Sequence, residues 1–97
     1  MAESWPLPEH STIVAAPDVV VGDLGDEVVM LNTQNGTYYG VEGVGATVWN
    51  LIQSPMTVAQ VRDALLDVYE VHPDTCVRDL MALLKDLAAH GLIKIEL

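Results

Sequence analysis

Residues 30–52, Met-Leu-Asn-Thr-Gln-Asn-Gly-Thr-Tyr-Tyr-Gly-Val-Glu-Gly-Val-Gly-Ala-Thr-Val-Trp-Asn-Leu-Ile, constrain the fold more than any other stretch, because they join a tight hairpin directly to an amphipathic helix. Asn35-Gly36 tolerates positive φ between two apolar runs, which predicts a turn pairing residues 27–32 with residues 37–41. Thr37, Tyr38 and Tyr39 favour a pleated strand. After Gly43 the period changes: Val44, Val48, Leu51 and Ile52 fall at helical spacing, with Trp49 beside them, and predict a helix over 44–53 stopped by Ser54-Pro55. A short sheet that runs straight into helices leaves a strand edge beside a helix, a geometry that captures extended peptides by strand addition.

The flanking segments extend this pattern. Residues 1–11 hold two prolines, Glu3, Glu9 and His10 without periodicity, and are expected to form a loose arm dispensable for folding. Val19-Val20-Val21 and Val28-Val29-Met30-Leu31, separated by Gly22-Asp23-Leu24-Gly25-Asp26, read as strand, turn, strand. Thr57 and Gln60 form a capping box for a second helix over about 57–70, with Val58, Val61, Leu65 and Val68 on its apolar face. His72-Pro73-Asp74 opens a third helix, which Gly91 ends. Leu92, Ile93 and Ile95 then suggest a short terminal strand or a packed tail. The expected fold class is α+β and winged-helix-like: a three-stranded antiparallel N-terminal sheet, a three-helix bundle and a short C-terminal strand, in one domain over 12–97.

Charge narrows the partners. Fourteen acidic side chains against four basic ones give a net charge of −10, and Arg62, Arg78, Lys85 and Lys94 are scattered. Such a surface repels phosphate, so nucleic acid is not expected as a partner, whereas a basic or neutral peptide would be attracted. The single cysteine, Cys76, excludes an intramolecular disulfide and fits a reducing cytoplasm. No apolar stretch approaches the roughly 20 residues that span a bilayer, and the first residues lack the pattern of a signal peptide, so no membrane partner is expected.

The third helix is apolar over a wide arc. Cys76, Val77, Leu80, Met81, Leu83, Leu84, Leu87 and Ala88 cover roughly 160° of a helical wheel, more than one core-facing stripe needs. Leu80, Leu84, Val77 and Leu87 lie centrally. Cys76 and Leu83 form one shoulder, with Asp79 just outside it, and Met81 with Arg78 and Lys85 forms the other. The Cys76, Asp79 and Leu83 side is expected to face the third strand. The bland reading is that the protein's own sheet and helices cover the whole arc.

The stretch Leu31-Asn32-Thr33 with Asn35-Gly36-Thr37-Tyr38-Tyr39, followed by Gly45-Ala46-Thr47-Val48-Trp49-Asn50-Leu51-Ile52, resembles the PqqD-like family. Val71-His72-Pro73-Asp74, Val77, Asp79, Leu80, Leu83, Leu84, Leu87 and Gly91-Leu92-Ile93 extend the resemblance over residues 18–96. It implies a RiPP recognition element, a non-catalytic domain that binds the leader segment of a ribosomally made precursor peptide. The leader would add as a strand to the third strand and drop apolar side chains into the cleft beside the third helix. It would then be presented to a leader peptidase and a cyclase, in the lasso type, or to a radical enzyme in pyrroloquinoline quinone synthesis. The acidic, Val-rich chain looks more like the lasso type. Two departures stand out: Glu42 replaces a frequent asparagine, and His72 replaces an aspartate N-cap, a change expected to cost about 1 kcal/mol.

On this reading the leader contacts are Thr37, Tyr38, Tyr39, Gly40, Val41, Cys76, Asp79, Leu80 and Leu83. The backbone of residues 37–41 would supply main-chain hydrogen bonds and the helix residues specificity. Each candidate has a plainer account: one tyrosine faces the core, Asp79 can be a solvated acid, and Cys76 a small buried hydrophobe. His10, His72 and His90 are too dispersed for a metal site, and no catalytic constellation or cofactor motif is present. A winged-helix regulator would need a basic recognition helix, against which Asp74, Asp79 and Asp86 stand. An assembly subunit that dimerises through the apolar shoulder is the remaining alternative.

Overall fold

The computed structural model describes residues 5–96. It contains three helices and two three-stranded antiparallel sheets in the order β1 (Thr12–Ala15), β2 (Val19–Asp23), β3 (Glu27–Asn32), β4 (Tyr38–Glu42), α1 (Val44–Leu51), β5 (Met56–Thr57), α2 (Val58–Val68), α3 (Pro73–Ala89) and β6 (Ile93–Glu96). The chain is α+β, as expected, but its strands are not one N-terminal sheet with an isolated end strand. β2, β3 and β4 form one sheet, and β5, β1 and β6 form a second. In the second sheet β6 pairs Ile95 with Ile13 and Ile93 with Ala15, while β5 pairs Met56 with Ile13. β1 was not legible because its partners lie far along the chain and four residues carry too little alternation to show a period.

The predicted hairpin has the expected register, with Met30 opposite Tyr39 and Leu31 opposite Tyr38. Its turn is longer than a two-residue one. Asn32 N–H donates to Thr37 O at 3.0 Å and Gly36 N–H donates to Asn32 O at 2.8 Å, so residues 33–36 make the loop. Gly36 takes φ 71°, whereas Asn35 stays out of the left-handed region. Asn32 Oδ1 supplies an Asx-type contact by accepting from Gln34 N–H at 2.9 Å.

The helices begin where the cap chemistry predicts. The Thr57 backbone N–H donates to Gln60 Oε1 at 2.9 Å, and the Gln60 N–H donates to Thr57 Oγ1 at 3.1 Å, completing the capping box of α2. His72 Nδ1 accepts from Asp74 N–H at 3.2 Å, so the imidazole does cap α3 in place of a carboxylate. The apolar face of α2 stops one turn earlier than its pattern suggests. Val58, Val61 and Leu65 are buried, but Val68 is 68% exposed, because the helix ends there and half-buried Tyr69 packs against the core instead. On α3, Leu80, Leu84 and Leu87 are buried as expected; Cys76 is buried and Val77 only partly so.

The loose arm expected over 1–11 reaches beyond the described residues at its first four positions, and its remainder is packed. Leu7 is buried in the core and Trp5 lies against it. The carbonyls of Ser11 and Glu9 accept from Val58 N–H at 2.9 Å and Ala59 N–H at 3.0 Å. With Thr57 on the Gln60 N–H, these bonds satisfy the first three amides of α2, which no helical carbonyl can reach.

Candidate functional site

β4 is the outer strand of its sheet, paired only with β3. Antiparallel partners alternate between pairs that exchange hydrogen bonds and pairs that do not. The Asn32–Thr37 bond sets the phase: Thr37, Tyr39 and Val41 direct their main-chain groups at β3. The N–H and C=O groups of Tyr38, Gly40 and Glu42 therefore point outward along the open edge. Side chains alternate with the same period: Tyr39 and Val41 turn toward the core, while Tyr38, 69% exposed, and Gly40 lie on the outer face.

The inner face of β4 runs antiparallel along α3, held by contacts at successive levels. At the turn, the His90 carbonyl accepts from Asn32 Nδ2 at 3.2 Å, Asn35 Nδ2 at 3.4 Å and Thr37 Oγ1 at 3.2 Å, and Asn32 Nδ2 also reaches Gly91 O at 2.9 Å. The polar turn thus satisfies carbonyls at the end of α3 that the helix leaves unpaired. One level on, Tyr39 donates its hydroxyl to Asp86 Oδ2 at 3.2 Å and lays its ring against that of His90, with centroids 4.9 Å apart. Burial and the Asp86 carboxylate both push the Tyr39 phenol pKa upward. At the far level Gly45 separates Val41 from Leu83: a Cβ on Gly45 would sit 3.1 Å from the Val41 Cβ and 3.9 Å from Leu83 Cδ2. Glycine there lets the start of α1 close onto both elements.

Beyond Leu83 opens an apolar cavity of about 450 Å³. α1 contributes Val44, Gly45 and Val48, α2 contributes Leu65, and α3 contributes Cys76, Asp79, Leu80 and Leu83. Tyr69, Glu70 and Val71 close the end between α2 and α3, and the Tyr69 hydroxyl lies 2.8 Å from Thr47 Oγ1. Burial, reinforced by Asp79 and partly offset by Arg62, pushes the Cys76 thiol up, so it remains a neutral wall group at neutral pH. Asp79 is exposed at the rim and lies 3.6 Å from Arg78. Among the described residues there is no group of three His, Cys, Asp or Glu that could hold a metal ion, and no helix is long and apolar enough to cross a membrane.

The structure therefore brings Cys76, Asp79, Leu80 and Leu83 together on one cavity wall and places Val41 one glycine away from Leu83. Thr37 and Tyr39 lie farther back along α3, where they anchor β4, and Tyr38 and Gly40 face away from the cavity. The shoulder bearing Leu83 is the one beside β4. The sequence reading missed Gly45, Tyr69 and Val71 as lining residues, and Asp86 and His90 as neighbours of β4. The last two continue the face of Asp79 and Leu83 at helical spacing, which is the signal that identifies them.

The chain is similar to TbiB1, solved in complex with the TbiA(beta) leader peptide, at 34% identity over 84% of this chain and 94% of that one, with a TM-score of 0.77. It shares its fold with a lasso peptide synthetase B1 solved with its leader peptide, at 23% identity over 84% of this chain and 96% of that one, with a TM-score of 0.73. No curated protein sequence matches it. The profile of coenzyme PQQ synthesis protein D (PqqD) matches residues 27–93, a span that holds the hairpin, all three helices and every cavity-lining residue. By that match the chain belongs to the PqqD family.

Proposed function

We infer that this protein binds the leader segment of a ribosomally synthesised precursor peptide, of the lasso type, by strand addition to β4. The observation that carries this reading is the open β4 edge ending at an apolar cavity. The outward groups of Tyr38, Gly40 and Glu42 offer hydrogen bonds that any sequence can use, and the cavity selects among sequences. The 34% identity with TbiB1, a protein solved with a leader bound, supports the lasso assignment over a role in quinone synthesis. Thr37, Tyr39 and Val41 position the strand; Cys76, Asp79, Leu80 and Leu83 meet the leader's side chains.

The protein acts as a carrier rather than a catalyst, handing the bound precursor to a leader peptidase and a cyclase in the cytoplasm. We read the scaffold as winged-helix-like, turned to peptide capture; the net charge of −10 disfavours nucleic acid. The test is fluorescence polarisation with a labelled lasso-type leader, beginning with the TbiA(beta) leader, against a scrambled copy and duplex DNA. Saturable binding to the leader alone is expected, and Leu83→Arg is expected to weaken it at least tenfold with an unchanged helical circular-dichroism signal, as a buried charge at the mouth would. Full-strength binding by folded Leu83→Arg would place the site elsewhere.

A further inference from the structure

The reading of β4 as a leader-binding edge has a consequence for which leaders fit. A strand added beside β4 presents alternate side chains to α3, spaced about 7 Å apart for every second residue. Two such levels are defined on the protein: Val41 with Leu83 at the cavity, and Tyr39 with Asp86 one step back. Leu83 and Asp86 are about 4.5 Å apart along the helix axis, close enough for consecutive inward-facing side chains to meet one each.

The two levels differ in chemistry. At the cavity, the walls are apolar and the ionisable lining groups are Glu70, Asp79, Tyr69 and Cys76, none of them cationic. At the Asp86 level, Tyr39 engages only one carboxylate oxygen, and among the described residues no cation is in salt-bridge contact with Asp86. Asp79, by contrast, already lies 3.6 Å from Arg78. The other titratable groups at this level are Tyr39 itself, His90, stacked on its ring, and Lys85, exposed on α3.

We propose that the site reads a two-position code: an apolar side chain that fills the cavity beside Leu83, and a Lys or Arg two residues away, on the same face of the added strand, that pairs with Asp86. The intervening residue points to the outer face, beside Tyr38 and Gly40, and is free to vary. The net charge of −10 favours the approach of such a segment, and Asp86 sets where along it the positive charge must stand.

An array of immobilised peptides tests this, each carrying a Leu anchor with Lys, Gln or Glu placed one or two residues away on either side. Two-residue spacing of Lys from Leu is expected to bind about fivefold more tightly than Gln, and one-residue spacing to show no such preference. Asp86→Asn should abolish the preference while keeping the Leu requirement, and Asp86→Lys should transfer it to Glu. Peptides that bind through Leu with equal affinity for Lys, Gln and Glu at every spacing would overturn the code and leave leader binding intact. If neither these peptides nor any leader binds, leader recognition itself is overturned, and the code with it.

Discussion

Gly91 is the residue whose identity the fold constrains most tightly. It adopts φ 69°, and a Cβ there would lie 2.6 Å from Asn32 Nδ2, the atom that bonds the Gly91 and His90 carbonyls. Both penalties fall on the joint that locks the β3–β4 turn to α3. Gly91→Ala is therefore expected to lower the unfolding free energy by about 2 kcal/mol, through left-handed strain and the displaced Asn32 amide. Urea melts of the two proteins check this, and an unchanged midpoint would mean that the turn is not held there. Gly43, with φ 56° and open space around it, would carry only the strain.

At the scale of elements, the alternation of β4 separates two prolines that a strand-level argument would treat alike. Tyr39 N–H points at β3, so Tyr39→Pro removes a ladder bond and pushes a ring into the pairing; a loss of about 3 kcal/mol is expected, with weaker leader binding as a by-product. Gly40 N–H points outward, and a Cβ at Gly40 meets only the Glu27 carboxylate, at 3.6 Å. Gly40→Pro should leave the thermal midpoint within a few degrees of wild type and abolish leader binding. Binding by folded Gly40→Pro at full strength would exclude strand addition at this edge. The hairpin, the three helices and the capping box were legible because each is written in contiguous residues: Asn35-Gly36, the spacing of Val44 and Val48, Thr57 with Gln60. The β5–β1–β6 sheet was not, since Ile13 finds Met56 and Ile95 only after the chain has folded. The wall of Cys76, Asp79, Leu80 and Leu83 could be placed on one helix face, whereas the opposing wall of Val44, Gly45 and Tyr69 depends on how three helices meet.

For the molecule as a whole, the segment before β1 decides how the second sheet and α2 are held. Its lack of periodicity concealed a structural role that needs no regular element: Leu7 enters the core, and the Glu9 and Ser11 carbonyls cap α2. Glu9 adds an exposed ion pair with Arg62 at 3.3 Å, which contributes little. Because α2 carries Leu65 into the cavity wall, the segment supports the site without touching it. Leu7→Ala is therefore expected to reduce stability by about 2–3 kcal/mol through the cavity it leaves, shifting the urea midpoint with an unchanged slope. Leader affinity measured well below the transition should stay near wild type, since Leu7 does not line the cavity. A variant with wild-type stability would show that residues 5–11 contribute nothing to the core. If stability and affinity fell together under conditions where the protein remains folded, the packing of this segment would be setting the geometry of the cavity itself.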